Sequence, residues 1–237
     1  MPDVLWIAVI VFGGTIIRTT FGFGDALFAM PMMSLVIGVT TATPVMGLIS
    51  LLVAAGALVT SWRHIEVTAV RRLLAASLIG IPVGVFALKN VDEHLLRSAL
   101  GVLIASFGLF RLVTPRMPEL HDRRWAFPFG FVSGCLGGAY NIGGPPIVMY
   151  GAMRRWPTKR FRATLHGGFL PTTLLVAVAH GLGGLWTTEV LELVAYSVPG
   201  VVAAMFLGEA LARRLDSPAF ERYLSVVLVV LGVLLVI

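Results

Sequence analysis

The sequence predicts an all-α polytopic membrane protein built from two repeats of opposite orientation. Composition is the first observation: 57% of the 237 residues are hydrophobic and 13% are charged, whereas a soluble domain carries about 25% charged residues. Secondly, the apolar residues form separate runs, several of them about 17 to 25 residues long, which fits a bilayer core of roughly 30 Å. Thirdly, a glycine-rich stretch interrupts this pattern once in each half.

Ten apolar segments follow one another along the chain. They run over residues 4–17, 26–38, 42–62, 70–88, 96–112, 125–136, 145–153, 164–185, 190–211 and 221–237. The first two segments and the two within 125–153 are short, and a helix of about 12 residues extends only about 18 Å. We therefore expect each short pair to be a glycine-broken helix or a re-entrant hairpin with its tip near the midplane. Three long transmembrane helices complete each repeat.

The basic residues predict the orientation in the membrane. They are concentrated in loops 63–72, 111–124, 154–162 and 213–222, whereas the remaining loops hold Lys89 and Arg97. Cytoplasmic loops are enriched in Lys and Arg, so we expect both termini on the non-cytoplasmic side of the membrane. Topology also accounts for the net charge of +6, and no nucleic-acid partner is expected.

The two halves of the chain resemble each other. A shift of 124 residues aligns Gly84 with Gly208 and Gly108 with Gly232. Because the first half would start outside and the second inside, matching halves would form an inverted repeat, the architecture of many secondary transporters. The predicted division is a first membrane repeat over 1–113, a cytoplasmic linker over 114–124 and a second membrane repeat over 125–237.

Two glycine-rich breaks contain the candidate substrate site. FGFGD occupies residues 21–25 and GGAYNIGGPP occupies 137–146. Glycine allows a backbone to approach a ligand closely, and the N–H groups that start a half-helix attract an anion. Pro31 and Pro145 are expected to begin the half-helices, where a proline sacrifices no needed N–H group. The glycines expected at the substrate are Gly22, Gly24, Gly138, Gly143 and Gly144, with Gly137 as part of the structural motif.

Arg18 and Asp25 place charge in the first break. An intramembrane charge costs at least about 2.5 kcal/mol on insertion scales and indicates a functional site. The planar guanidinium of Arg18 suits an oxyanion, although a structural ion pair with Asp25 or a snorkelling arginine is the alternative. Asp25 is placed to cap a half-helix beginning at Ala26, and it is also a candidate for proton coupling. Asn141 would either donate to the anion or satisfy broken backbone.

The polar residues of the segment 164–185 give further candidates. Thr164 is expected to start this helix, with its hydroxyl towards the tips, and His166 to contact substrate or lipid headgroups near the cytoplasmic end. His166 and His180 are also candidates for carrying a proton, although a structural role is the simpler interpretation of each. Being 14 residues apart, they would lie about 21 Å apart on a straight helix, so no shared metal site is expected.

Several function classes are compatible with this organisation to different degrees. The leading hypothesis is a secondary transporter, expected to export a small anion by alternating access with H⁺ as a coupling ion. The alternative is a passive anion channel or a carrier of another small organic anion. An enzyme is not expected, because Cys135 has no histidine near it in sequence and no metal-binding spacing occurs. No cofactor is expected, the lipid bilayer is the expected surrounding, and the oligomeric state is open.

The stretches FGFGDALFAMP (21–31) and SGCLGGAYNIGGPP (133–146) resemble the paired motifs of the sulfite exporter TauE/SafE family, also called the toluene sulfonate uptake permease family. The resemblance covers nearly the whole chain. It implies an inner-membrane carrier of sulfur-containing anions such as sulfite, sulfoacetate or other organosulfonates, coupled to an ion gradient. The family commonly has a longer glycine run where this chain has FGFGD, and phenylalanine walls would also accept a bulkier, more apolar sulfonate. By position, the resemblance points to Gly22, Gly24, Pro31, Gly137, Gly138, Gly143, Gly144 and Pro145.

Overall fold

The computed structural model describes the backbone of residues 2–61, 67–113, 117–156, 158–212 and 218–236, and within these the side chains of 4–56, 71–113, 117–156, 168–212 and 223–236. Regular structure in these ranges is entirely helical, without a β-strand. The helices are α1 (Pro2–Phe21), α2 (Asp25–Ser61), α3 (Val67–Asn90), α4 (Glu93–Val113), α5 (Ala126–Tyr140), α6 (Gly144–Met153), α7 (Thr158–Leu182), α8 (Thr188–Ala212) and α9 (Pro218–Val236). A 3₁₀ turn over Arg123–Trp125 precedes α5.

The helices have the length and composition of membrane spans. Five segments qualify among the described residues: Val4–Phe21, Asp25–Gly56, Arg71–Asn90, Glu93–Val113 and Thr188–Ala212. Shorter apolar helices occupy Gly168–Leu182 and Tyr223–Val236. Large apolar side chains such as Phe86 and Phe206 point outwards, as lipid requires. The predicted all-α, multi-pass membrane class is therefore confirmed.

The longest helix, α2, is folded back on itself. Gly38 interrupts it with φ 77° and ψ 162°, a left-handed φ that glycine adopts without steric cost. The Ser50 Oγ lies 2.9 Å from the Asp25 Oδ2, although 25 residues of straight helix would separate the two residues by about 37 Å. α2 is therefore a helical hairpin with a short arm, 25–37, and a long arm, 39–61. Only the long arm is long enough to cross a bilayer core.

A carboxylate from another helix holds the bend of this hairpin. The backbone N–H of Val39 donates to Glu93 at the start of α4, and the same carboxylate lies beside Gly38. The sequence segments 26–38 and 42–62 were predicted as separate helices, and the reversal at Gly38 falls at the boundary between them. One glycine suffices for this reversal, because the Glu93 carboxylate satisfies the exposed amide of Val39.

The first helix is longer than its predicted segment of 4–17. It continues through Arg18 and its neighbours, because the Arg18 guanidinium is paired with Asp25 and the Thr19 hydroxyl donates to the Thr15 carbonyl. These bonds let polar side chains remain within an apolar helix. The first break therefore begins at the end of a helix of 20 residues, and the prediction that this helix is unusually short was wrong.

The short helices predicted in the second half are present. α5 has 15 residues and α6 has 10, so neither reaches the length of a full span. Pro145 lies in the first turn of α6, as expected. The same expectation was wrong for Pro31, which lies inside α2. The difference arises because α2 already begins at Asp25, whereas α6 begins directly before its prolines.

Three helix pairs pack closely through glycines: α3 with α5, α1 with α8, and α4 with α9. A Cβ at Gly84 would collide with the backbone of α5, and one at Gly208 would collide with Thr19 of α1. Gly108 and Gly232 both face the interface of α4 with α9. The absence of a side chain at these positions lets the helix backbones approach each other, as small residues do in membranes.

The described part of the predicted linker, residues 117–124, packs against the end of α6. The backbone N–H of Leu120 donates to the Met153 carbonyl at 2.9 Å. The Arg154 guanidinium donates to the carbonyls of Leu120 and His121 at 2.6 and 2.7 Å. This loop is therefore attached to the base of the α5–α6 hairpin.

Candidate functional site

Two short turns connect the helices at the predicted breaks. In the first turn, between α1 and α2, Gly22 and Gly24 have φ values of 87° and 104°, and Phe23 lies between them. In the second turn, between α5 and α6, Asn141 has φ 55° and its backbone N–H donates to the Gly137 carbonyl at 2.9 Å. Glycine and asparagine tolerate this left-handed conformation better than other residues.

Both turns open onto one central cavity with an empty volume of about 540 Å³, part of which is open to the outside. Its walls come from the end of α1, both turns, both arms of α2, α5, α6 and α7. The polar side chains that line it belong to Arg18, Asp25, Ser50, Ser133, Asn141, Thr172 and Thr173.

A chain of hydrogen bonds crosses the cavity wall from the first half to the second. The Arg18 Nη1 donates to the Asp25 Oδ2 at 2.6 Å, and the Ser50 Oγ donates to the same oxygen at 2.9 Å. The Asn141 Nδ2 in turn donates to the Ser50 Oγ at 2.8 Å and to the Met46 carbonyl at 3.1 Å. Asp25 thus accepts from two side chains, and the two turns are connected through Ser50.

Arg18 is almost completely enclosed. It is 8% exposed, and its guanidinium carbon lies 5.4 Å from the centre of the Phe169 ring on α7. An arginine over an aromatic face is stabilised by the ring quadrupole, more strongly where water is excluded. The cavity therefore combines one buried cation with apolar walls that include Phe23 and Phe169.

The hydroxyl groups of the cavity already donate to the protein. Ser133 donates to the Gly143 carbonyl at 2.6 Å, and Thr172 donates to the Gly168 carbonyl at 2.7 Å. Thr173 donates to a carbonyl of its own helix at 2.8 Å. Since each hydroxyl has a single hydrogen, an anion in this cavity would depend on Arg18 and on backbone N–H groups.

The two helix N-termini at the cavity differ in what they offer. α2 begins with Asp25, and the next two residues of its first turn, Ala26 and Leu27, are among the residues that line the cavity. The first turn of α6 contains Pro145 and Pro146, and proline has no N–H. Gly143 and Gly144 keep their N–H groups and also line the cavity, so the second break would offer donors before its prolines but none at them. The expectation that both breaks offer donors to an anion stays a prediction.

The structure brings together six of the ten residues predicted to bind substrate. Arg18, Gly24, Asp25, Asn141, Gly143 and Gly144 line the cavity, together with the motif residues Gly137 and Pro145. Gly22 lies in the first turn but is not part of the lining. Gly138 lies inside α5, against the Ile81 carbonyl of α3, so Gly143 rather than Gly138 directly precedes the second half-helix.

Two predictions about half-helix and helix starts were wrong. α2 begins at Asp25 rather than at Ala26, and the described partners of the Asp25 carboxylate are side chains. α7 begins at Thr158, so Thr164 lies within the helix. The side chains of Thr164 and His166 fall outside the described residues.

His180 on α7 contacts α5 through its imidazole ring. Its ring is fully buried, and Nε2 lies 2.8 Å from the Gly138 carbonyl. A carbonyl only accepts, so Nε2 carries the proton in this contact. Nδ1 is buried without a hydrogen-bond partner among the described residues and faces Gly47 of the long arm of α2. His180 is not among the residues that line the cavity.

Ser50, Thr172, Thr173 and Phe169 are cavity residues that the sequence predictions missed. Ser50 is the single hydroxyl residue between residues 44 and 59, and the two threonines directly follow Pro171. A polar residue beside a mid-helix proline was the available signal, because hydroxyls compensate for a proline's missing hydrogen bond. No feature of the sequence marked Phe169 as a cavity residue.

The comparison with protein families gives one match. The model of the family described as "Sulfite exporter TauE/SafE" matches residues 6–235, which is nearly the whole chain. No curated protein and no solved structure matches the chain. The matched range includes both turns and every described residue that lines the central cavity.

Proposed function

Because the chain belongs to the sulfite exporter TauE/SafE family, we propose that it is a secondary transporter of small sulfur-containing anions such as sulfite, sulfoacetate or other organosulfonates. One observation carries the proposal. A buried arginine, Arg18, lines a cavity that both interrupted helices help to form. A charge in this position is costly in a membrane. Binding of an anion in the cavity would explain why the arginine is present.

The substrate would bind between Arg18 and the first turn of α2. The guanidinium has five N–H donors, one of which donates to Asp25 through Nη1. An oxyanion beside it would also accept hydrogen bonds from backbone N–H groups, and the partial positive charge at the start of α2 would stabilise it. Phe23 and Phe169 line the same cavity, which favours an anion carrying an apolar group. Organosulfonates have this combination.

Asp25 provides a route to proton coupling. Arg18 and Asp25 together are neutral, so an anion that enters the cavity leaves one negative charge uncompensated in a region of low dielectric. Protonation of Asp25 removes that charge and releases its hold on Arg18. We therefore assign the coupling proton to Asp25, which lines the cavity beside Arg18, rather than to His180, which is not among the lining residues.

Alternating access would arise from an inverted repeat. In a pseudo-twofold relation between the halves, α1 would correspond to α5 and α3 to α8. Such a relation would convert the contact of α1 with α8 into the contact of α5 with α3, and both contacts are present. Gly84 and Gly208 lie in the two interfaces that this relation would interchange, whereas Gly108 and Gly232 lie in one interface, α4 with α9, that it would map onto itself. The halves would rock around the cavity and open it to either side in turn.

The location follows from the family and from the basic loops. We propose an inner (plasma) membrane position with the basic loops in the cytoplasm and both termini outside, in agreement with the positive-inside rule. The family description favours export of an intracellular anion. The direction of net flux would follow the gradients of the anion and of the coupled proton.

Reconstitution in liposomes tests the substrate class. We would measure flux of sulfite, sulfoacetate, taurine, sulfate, acetate and phosphate in the wild type, in Arg18→Gln and in protein-free liposomes. Saturable flux of the sulfur oxyanions, accelerated by the same anion on the opposite side and lost in Arg18→Gln, is expected. A current that does not saturate and shows no trans-acceleration would identify a passive anion channel. Absence of any response to these anions in folded wild-type protein would overturn the sulfonate assignment.

A further inference from the structure

A second cavity lies on the other side of the first turn. It has an empty volume of about 400 Å³ and lies between the first turn, the end of α4 and the start of α9. Arg111, in the last turn of α4, is the charged residue in its described lining. This end of α4 carries the basic loop 111–124, so the cavity lies towards the side of the membrane that we assign to the cytoplasm.

The two cavities share a wall. Phe23, Gly24 and Leu27 line both of them. The guanidinium carbon of Arg111 lies 5.5 Å from the centre of the Phe23 ring, just as Arg18 lies over Phe169 in the central cavity. An arginine over a ring therefore lines each cavity, and Phe23 is part of the boundary between the two.

The backbone around Phe23 suits a movable wall. Gly22 and Gly24 both have positive φ values, 87° and 104°, and glycine occupies positive and negative φ about equally well. The neighbouring residue Phe23 can therefore change direction without forcing a side-chain-bearing residue into a strained conformation. A ring on such a turn can join or separate the two cavities.

Resting on the proposed function, we propose that the second cavity is a vestibule in which Arg111 binds the sulfur oxyanion before it passes Phe23 to Arg18. The site selects an anion by charge, because an arginine in a partly enclosed cavity attracts negative ligands more strongly than one in bulk water. Phe23 holds the vestibule and the central cavity apart, and its movement lets the anion through. Arg111 could instead only balance the negative end of the α4 dipole, a role that is independent of the anion.

Cysteine labelling tests the vestibule without requiring transport. In a Cys135→Ala background, Leu224→Cys places one thiol in the lining of the second cavity. We expect Arg111→Gln to slow its reaction with the anionic sulfonatoethyl methanethiosulfonate about tenfold, the effect of one charged contact. Its reaction with neutral methyl methanethiosulfonate would stay unchanged, and sulfoacetate would protect the thiol only when Arg111 is present. Equal slowing of both reagents would assign Arg111 a structural role and overturn the proposal.

Sided transport provides the second test, with Arg97→Gln at the opposite end of α4 as the matched control. In inside-out membrane vesicles, Arg111→Gln should raise the apparent KM for sulfoacetate about tenfold, whereas in right-side-out vesicles KM should stay the same. Arg97→Gln should leave the inside-out KM unchanged. A KM that rises equally from both sides, or not at all, would overturn the vestibule while the proposed function stands. Wild-type protein that passes the labelling test but transports no anion would instead overturn the proposed function.

One substitution and its control test whether Phe23 separates the two cavities. Phe23→Ala should join the cavities and produce an anion leak that is not linked to lumenal pH, whereas Phe206→Ala, at an exposed position of α8 outside both cavities, should retain coupled flux. Thermal unfolding in detergent checks that both variants are folded. If folded Phe23→Ala transports with unchanged coupling, Phe23 does not separate the two cavities, and that part of the proposal is wrong.

Discussion

Arg18 and Asp25 form a 2.6 Å ion pair across the break between α1 and α2, and both side chains line the central cavity. A bound anion would therefore share Arg18 with a carboxylate that is already present. This competition makes the protonation of Asp25 and the binding of an anion favour each other. Coupling would then be a property of one ion pair rather than of a distant relay.

Asp25→Asn should separate binding from coupling. The amide retains a hydrogen-bonding oxygen near Ser50 but loses the charge, so Arg18 would be a buried cation without its counter-ion. Removal of one partner of a buried ion pair lowers the stability of the folded protein by about 3–5 kcal/mol. A bound anion should restore part of that stability. We expect a lower Tm than wild type, a larger increase in Tm with sulfoacetate, and flux that no longer changes lumenal pH. Glu192→Gln, on an exposed site of α8, is the control, and unchanged proton coupling in Asp25→Asn would exclude Asp25 as the coupling residue.

Ser50→Ala should weaken the connection between the two turns. It removes the hydroxyl that donates to Asp25 and accepts from Asn141, leaving the Asn141 amide with one bond fewer. The expected cost is about 1–3 kcal/mol of stability, with a higher KM for the anion. Ser34→Ala is the matched control, because Ser34 is equally buried in α2 but donates only to the carbonyl of Pro31. Equal effects on KM from both variants would contradict a special role for Ser50.

Gly84→Ala should disrupt the packing of α3 on α5. The added Cβ would meet the carbonyl oxygen of Cys135, and backbone atoms in a helix have little freedom to retreat. We expect a loss of about 1–3 kcal/mol, as for other overpacked sites, measured as a lower Tm in detergent. Gly168→Ala, also within a helix, would meet nothing within 4 Å and should be neutral or stabilising by up to about 1 kcal/mol. The reverse order of the two Tm values would contradict the described helix packing.

Phe169→Leu should weaken anion binding while preserving an apolar wall. Arg18 lies 5.4 Å from this ring, and a cation–π contact contributes about 0.5–2 kcal/mol. The KM for sulfoacetate should therefore rise about 2- to 30-fold. Phe206→Leu, on a side chain that is 72% exposed on α8, should leave KM unchanged. An unaltered KM in Phe169→Leu would show that the ring does not help to hold Arg18 for the anion.

Composition and glycine spacing were sufficient to predict the membrane class and the two breaks. Arg18 and Asp25 were also predictable, because charges are rare in apolar segments and each of these needed a partner. The reversal of α2 at Gly38 was only partly visible. A glycine within an apolar run is explained equally well by close packing of helices. The Glu93 carboxylate that holds the bend is more than 50 residues away in the sequence, on another helix.

The missed cavity residues have a common physical cause. Ser50, Thr172 and Thr173 are hydroxyl residues within apolar helices, and such residues commonly bond only to their own backbone, as both threonines do. Whether a hydroxyl also faces a cavity depends on how the helix is rotated against its neighbours. That rotation depends on contacts between distant segments, which local spacing does not encode.

Anion binding to the double variant Arg18→Gln/Asp25→Asn is the most direct test of the central claim. The substitution removes both charges together, so it leaves no unpaired buried charge to unfold the protein. We would titrate sulfoacetate into purified wild type and double variant by calorimetry, after confirming similar Tm values. The account predicts saturable binding to the wild type and binding at least about tenfold weaker in the folded double variant. Equal affinity in the two proteins would contradict it, because the anion would then bind without Arg18.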